Sequence, residues 1–294
     1  MLLLAIVFLT VELLPGDAAS STVDRGADAD AVAVRRAELG LDRPLLERFA
    51  DWLTALPTGD LGISAHGQPV STLLAQQAPN TILLGVLAFV VTMTAAVTLG
   101  GHATLHAGRR ADRVISFSAG VVLTLPEFVV ASLLVLVLAL WSGLLPAVTV
   151  TTIDGWPAEP SMLVLPVLAL AIPQIGWNTQ VVRAALADQY AAPHVDAAQL
   201  DGLSPRQVLL RHVLPGALPT IAAGAATSVG MVLGGAVVVE TIFGYPGVGT
   251  VVAGAIRDRD TPVIAGATAV TGLTISGVLL AADLIREWAT GRRM

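Results

Sequence analysis

The sequence predicts an all-α, polytopic membrane protein with six transmembrane helices. Of its 294 residues, 54% are hydrophobic and 13% are charged, and the mean hydropathy is +0.76. Because a soluble globular protein carries about 25% charged residues, roughly half of the charge expected for a water-covered surface is missing. Long apolar runs alternate with short polar segments along the chain, as expected when lipid surrounds most of it.

Five of the apolar runs are long enough to cross a hydrocarbon layer about 30 Å thick, which takes roughly 20 helical residues. They are Ile82–Gly101, Val114–Trp141, Met162–Val182, Ile221–Glu240 and Val263–Ile285. A sixth run, Leu2–Leu14, would rise only about 20 Å. It has no basic residue before it and no small-residue cleavage site after it, which disfavours a signal peptide. We interpret residues 1–16 as a short first transmembrane helix.

The arginines predict the orientation, because cytoplasmic loops carry an excess of positive charge. With the N-terminus inside, nine arginines fall in cytoplasmic segments and two in short outer loops. The nine are Arg109, Arg110, Arg113, Arg183, Arg206, Arg211, Arg286, Arg292 and Arg293, and the two are Arg257 and Arg259. Both termini are therefore predicted to be cytoplasmic.

This orientation divides the chain into three parts. Residues 1–16 form the first helix, 17–77 an extracytoplasmic loop, and 78–294 a five-helix core that contains a cytoplasmic loop at 183–217. In the outer loop, apolar residues recur at helical spacing after Pro44. This spacing predicts one or two helices on the outer membrane face.

The cytoplasmic loop carries the signals of a helix, a turn and a second helix. Pro193 fits the first turn of a helix, and Gly202 supplies a turn or C-cap. Ser204 is an N-cap with Pro205 at the first helical position, and the second helix is predicted to end at Pro215. Such a helix pair is either a docking element for another protein or a solvated connector without a partner.

The loop resembles the signature loop of the inner-membrane permeases of binding-protein-dependent ABC importers. That signature is a Glu-Ala-Ala, three residues, a Gly and, about twelve residues later, a Leu-Pro. Here it reads Asp196-Ala197-Ala198, Gly202 and Leu214-Pro215. The segments "GVVLTLPEFVVASLL" (120–134) and "GGAVVVETIFGYPGVG" (234–249) resemble the dipeptide, oligopeptide and nickel subfamily and follow its order.

The resemblance implies a type I ABC importer permease fold in a bacterial inner membrane. Such a permease forms half of the translocation pathway, usually as a heterodimer with a sister permease. Two cytoplasmic ABC ATPase subunits, or one fused ATPase, attach beneath, and an extracytoplasmic substrate-binding protein delivers the solute. The coupling helix that would enter the ATPase comprises Asp196, Ala197, Ala198, Gln199, Leu200, Asp201, Gly202, Leu203 and Ser204.

Four other residues are candidates for the solute pathway or a gate. Glu127 follows Pro126 inside an apolar run, where an uncompensated charge costs at least about 2.5 kcal/mol. It is expected to face the pore or a partner helix, with a structural hydrogen bond as the alternative. Glu240, Tyr245 and Pro246 belong to a glycine-bearing stretch that predicts a tight re-entrant or outer-gate loop.

Several other functions are disfavoured by the sequence. There is no cysteine, no lysine and no phosphate-binding Gly-x-x-x-x-Gly-Lys-Ser/Thr motif, so ATP and Mg²⁺ are expected in the partner ATPases and no cofactor in this chain. The formal charge of −6 disfavours nucleic acid as a partner. His102 and His106 lack a nearby third metal ligand. A stand-alone secondary transporter or channel remains the alternative, and an intramembrane protease lacks its motifs.

Overall fold

The computed structural model describes residues 2–13, 17–22 and 29–291, and this part of the chain is helical with no β-strand. The helices are α1 (Leu2–Leu13), α2 (Ala18–Thr22), α3 (Ala29–Glu38), α4 (Leu45–Ala55), α5 (Val70–Leu105), α6 (Arg110–Leu123), α7 (Glu127–Leu134), α8 (Ser161–Tyr190), α9 (Pro193–Leu200), α10 (Pro205–Val208), α11 (Leu214–Phe243), α12 (Val248–Asp258) and α13 (Thr261–Gly291). Turns of π-helix at Val135–Trp141 and Leu209–Val213 extend α7 and join α10 to α11. The all-α prediction is confirmed.

Four helices of the described residues are long and apolar enough to cross a membrane. They are Val70–Leu105, Ser161–Tyr190, Pro205–Phe243 and Thr261–Leu284, and each overlaps one predicted run. Helix α1 has 12 residues and rises about 18 Å, which is short of a full crossing. Residue 14 of the predicted first run lies outside the described residues. The predicted count of six spans is therefore approximate.

The run Val114–Trp141 is not the single straight span that the sequence predicts. It belongs to two helices, Arg110–Leu123 and Glu127–Trp141, which are bent by 101° and make a fifth span only if they are counted together. The cause is Pro126, which has no backbone N–H and disfavours the helical conformation in the residue before it. Pro126 itself is extended, with φ −62° and ψ 147°, and α7 starts directly after it.

The chain divides into two compact units, of which one comprises residues 83–245 and 275–294. Its central helix is α8, which packs against α6, α7 and α11. Small residues let neighbouring helices, including α5, approach α8 closely, as is usual in membranes. A Cβ at Gly176 would lie 2.7 Å from the carbonyl oxygen of Ala119, and a Cβ at Gly100 would lie 2.7 Å from Val182 Cγ1. Helix α8 is therefore the element that fixes its neighbours in this unit.

The other unit comprises residues 1–82 and 246–274. The helical spacing predicted after Pro44 is confirmed, since α4 begins directly after this residue. Trp52 of α4 is buried, packs against Phe8 with ring centroids 5.7 Å apart, and donates its Nε1 hydrogen to the carbonyl of Leu61 at 3.0 Å. Apolar contacts and one indole hydrogen bond thus fix α4 to the rest of its unit.

Candidate functional site

The helix, turn and helix predicted for residues 183–217 are present. Helix α9 begins at Pro193 and ends at Leu200, and Gly202 adopts a left-handed conformation with φ +80°. Ser204 and Gln207 form a capping box, in which Ser204 N donates to Gln207 Oε1 at 3.0 Å and Gln207 N to Ser204 Oγ at 3.4 Å. The chain is therefore redirected twice within a few residues by local signals that the sequence contains.

The end of the second helix differs from the prediction. The helix does not end at Pro215 but continues as one apolar element over Pro205–Phe243. The π-helical turn ends at Val213 and α11 begins at Leu214. Pro215 thus lies directly after the π-helical turn, in the first turn of α11. As a result, the loop that carries α9 is joined to a candidate span without an intervening break.

Helix α9 has one anchored face and one exposed face. Val195 and Ala198 are buried in an apolar cluster of the same unit, together with Val182, Leu186 and Val208. Ala198 therefore faces the interior of the unit. The sequence resemblance assigns it, with Ala197, to the helix that would contact the ATPase. The exposed residues are Asp196, Ala197, Gln199, Leu200, Asp201, Gly202 and Ser204, while Leu203 is partly buried. Leu200 is 88% exposed.

An ion pair between a buried carboxylate and a partly exposed arginine joins the start of α6 to α8, and sequence reasoning missed it. Arg183 donates from Nε to Asp112 Oδ1 at 2.6 Å and from Nη2 to Oδ2 at 3.0 Å. The backbone N–H of Gly108 also donates to Asp112 at 2.9 Å. Asp112 is only 4% exposed. The only sequence signal was that each residue flanks an apolar run, which does not reveal that they pair.

The break between α6 and α7 opens a cavity of about 450 Å³. It is lined by Leu123, Thr124, Leu125, Pro126, Glu127, Pro173, Gln174, Trp177, Met231, Gly234, Gly235 and Val238. Of the candidate pathway residues, Glu127 alone lines this cavity. Gly235 lets α11 approach the Glu127 side chain closely. A Cβ at Gly235 would lie only 3.4 Å from both Cγ and Cδ of Glu127.

Glu240, Tyr245 and Pro246 lie around the end of α11. Glu240 is fully buried, Gly244 ends the helix in a left-handed conformation with φ +59°, and Tyr245 N donates to the carbonyl of Glu240 at 2.8 Å. Tyr245 is also buried. Pro246 belongs to the other unit, where its carbonyl accepts from Asn80 Nδ2 at 2.7 Å. This geometry is a glycine-terminated, buried helix end.

Two further features are a pair of histidines and an acidic residue before α13. His102 and His106 stack with ring centroids 4.2 Å apart, and within the described part of the chain no group of three His, Cys, Asp or Glu side chains could hold a metal ion. In the stretch "RDRD" (257–260), Asp260 is buried and accepts from Ala65 N at 2.6 Å and Val263 N at 3.3 Å. Burial raises the pKa of the Asp260 carboxyl.

Comparison with known proteins places this geometry in a family. The family described as "Binding-protein-dependent transport system inner membrane component" matches residues 93–293, a range that includes α9 and the cavity. The chain belongs to this family. The match covers the whole of the ion pair, the helix break and helix α9, so these features lie in the part of the chain that the family model describes.

Relatives of this permease are similar over most of their length. A peptide ABC transporter permease protein of Sinorhizobium fredii is 32% identical over 88% of this chain and 83% of the relative. A peptide transport system permease protein of Brucella abortus is 32% identical over 99% of this chain and 94% of the relative. The oligopeptide transport system permease protein OppB of Mycobacterium tuberculosis is 33% identical over 84% and 80%.

Solved structures of importers have the same fold. A chain of the inward-facing MetNI methionine ABC transporter aligns with a TM-score of 0.62 at 15% identity, covering 74% of this permease and 96% of that chain. A chain of an amino acid ABC transporter crystallised with histidines aligns with a TM-score of 0.55 at 16% identity, covering 76% and 95%. The predicted ABC importer permease fold is therefore confirmed.

Proposed function

We propose that this protein is the permease subunit of an ATP-driven importer of peptides and forms half of the translocation pathway. The relatives named above are permeases of peptide or oligopeptide transport systems, which supports peptides as the solute class. In this proposal an extracytoplasmic substrate-binding protein delivers the peptide, and a sister permease forms the other half of the pathway. ATP and Mg²⁺ bind in two ATPase subunits or one fused ATPase.

The observation that carries the proposal is the exposed face of α9. A leucine that is 88% exposed, at the end of a helix whose opposite face is buried, is suited to contact another protein. The anchored face makes α9 move as one body with α8 and the start of α11. Closure of an ATPase dimer against Leu200 would therefore be transmitted to the spans. It would shift the equilibrium between two conformations of the permease, as ligand binding does in other switching proteins.

The contact with the ATPase is tested by co-purification. We expect the tagged permease, expressed with its sister permease and ATPase subunits, to retain the ATPase, and Leu200→Asp to lose it because the new carboxylate would be desolvated in the contact. Leu46→Asp is the matched control, since Leu46 is 79% exposed in the predicted outer segment. Full retention of the ATPase by Leu200→Asp would show that α9 is a connector without a partner.

The proposed orientation places both termini and α9 in the cytoplasm, as the arginine distribution predicts. Reporter fusions at Gly155, in the loop before α8, and at Gly291, at the end of α13, should therefore report opposite sides of the membrane. A reporter pair such as alkaline phosphatase and green fluorescent protein distinguishes the two sides. Three candidate spans separate the two positions, so identical signals from both would contradict the proposed topology and would mean that one of these three helices does not cross the membrane.

A further inference from the structure

The cavity at the break between α6 and α7 has an unusual chemistry for an apolar part of the chain. Its lining contains a carboxylate (Glu127) and a side-chain amide (Gln174), and none of the twelve lining residues is an arginine or a histidine. Its volume of about 450 Å³ lies within the range of ~300–1,000 Å³ that is typical of small-molecule sites. A cavity with these groups favours a cationic or hydrogen-bond-donating ligand over an anion.

Glu127 contributes a carboxylate that the described residues leave without a hydrogen bond or ion pair. It is the first residue of α7 and is partly buried. A carboxylate at a helix N-terminus gains some stability from the helix dipole, but this does not satisfy its hydrogen-bonding capacity. Because an uncompensated charge inside an apolar run is costly, a ligand that carries the opposite charge would stabilise it.

Gln174 contributes a second acceptor, which is an observation independent of the charge on Glu127. Its side chain is 5% exposed, and Oε1 has no hydrogen-bond partner among the described residues. A buried acceptor without a partner costs about 1–3 kcal/mol, so donation from a ligand would remove this penalty. Trp177, one helical turn further along α8, lines the same cavity and is 36% exposed, and an indole face attracts cations.

We infer that this cavity binds the primary ammonium group of the solute during transport, with Glu127 and Gln174 as the acceptors. The inference rests on the proposed function, because it takes the solute to be a peptide, and it adds the chemical group that the permease recognises. An ammonium group supplies three donors and one positive charge, which matches a carboxylate and an unpartnered amide oxygen. In a peptide this group is either the amino terminus or a lysine side chain.

Direct occupancy is tested with the assembled complex of both permeases and the ATPase in lipid nanodiscs. Dicyclohexylcarbodiimide should modify Glu127, as measured by peptide mass spectrometry, and trialanine should protect it. N-acetyl-trialanine should give no protection, and N-acetyl-Ala-Lys-Ala distinguishes a side-chain ammonium from an amino terminus. Equal protection by trialanine and N-acetyl-trialanine, or no modification of Glu127 in the wild-type complex, would overturn the inference.

Gln174 is tested in the same experiment by an apolar substitution. Gln174→Leu keeps the approximate shape and removes the acceptor, so modification of Glu127 should persist while the trialanine concentration needed for protection rises roughly tenfold. Unchanged protection would remove Gln174 from the site. Because this variant retains Glu127, it also gives a result if Glu127 substitutions assemble poorly.

Transport separates this inference from the proposed function. In proteoliposomes with the binding protein and ATP, Glu127→Gln should raise the KM for trialanine by roughly tenfold relative to N-acetyl-trialanine, and Glu127→Asp should restore part of the difference. Asp283→Asn is the matched control, because Asp283 is an exposed carboxylate of α13 outside the cavity. Absence of uptake of either peptide by the wild type would contradict peptide import itself. Uptake with an unchanged ratio in Glu127→Gln would contradict only the ammonium site.

Discussion

The helix break at Pro126 and the turn at Gly202 interrupt helices in the same unit, with opposite results. At Pro126 the interruption is surrounded by α8 and α11, so it leaves a cavity of about 450 Å³ with a carboxylate inside. At Gly202 only one side of the loop is covered, so the interruption leaves a helix end with Leu200 exposed. The same kind of local signal therefore leaves either a cavity or an exposed helix end, depending on the neighbouring helices.

The glycines at these two places are required for different reasons. Gly202 has φ +80° and no atom within 4 Å of a Cβ built on it, so it is needed for its backbone conformation. Gly235 does not have a positive φ, but its Cβ would lie 3.2 Å from Leu170 Cδ2 and 3.4 Å from Glu127. It is needed for close approach. Substitutions should therefore follow different rules at the two positions.

The largest effect is expected for Gly202→Val. A β-branched residue in a left-handed conformation costs about 1–2 kcal/mol, which corresponds to roughly a tenfold loss of the turn conformation. Since α9 would then no longer be held at its proper angle to the ATPase, we expect uptake by reconstituted vesicles to fall about tenfold. ATPase activity should no longer be stimulated by the loaded binding protein.

Two variants identify the cause of this loss. Gly202→Asn adds a side chain of similar size, but asparagine tolerates the left-handed region, so it should retain most of the uptake. Gly143→Val imposes the same strain at another open position with φ +64°, in the loop before α8, and should leave ATPase stimulation intact. If Gly202→Asn were as defective as Gly202→Val, exclusion of bulk at the ATPase contact would be the reason for the glycine.

The sequence predicts the turn far better than the cavity, because the two depend on interactions of different range. The signals of α9 are local: Pro193 starts the helix, Gly202 turns the chain, and Ser204 pairs with Gln207 three residues later. Hydropathy, by contrast, averages over Pro126 and so merges α6 and α7 into one span, although the proline itself is visible. The fold class and four of the spans were predicted because a long apolar run, like the signals of α9, lies within one contiguous stretch of sequence.

Long-range pairing is what the sequence could not reveal. Asp112 and Arg183 are 71 residues apart and are brought together only by the packing of α6 on α8. Likewise, Gln174 is a polar residue in an apolar run, and nothing in the sequence shows that its Oε1 lacks a partner. Glu127 could be proposed because a charge after a proline in an apolar run is unusual, but its neighbours Gln174 and Gly235 could not.

The smallest effect is expected for Gly235→Ala, which tests the close approach at the cavity. Alanine is favoured over glycine in a helix by about 1 kcal/mol, so the variant should be as thermally stable as the wild type. The added methyl group, however, would press on Leu170 and on the Glu127 side chain. A displaced side chain costs about 0.5–1.5 kcal/mol when it leaves its rotamer, so carbodiimide modification of Glu127 should slow by about threefold.

Gly234→Ala is the matched control for this prediction. Gly234 is the preceding residue of α11 and lines the same cavity, but no atom lies within 4 Å of a Cβ built on it. Its extra methyl group enters open space, so the rate of Glu127 modification should change by less than about twofold, which is under ~0.5 kcal/mol. Equal slowing in both variants would mean that a methyl group anywhere on this face restricts access to the cavity. In that case Gly235 would not be the residue that positions Glu127.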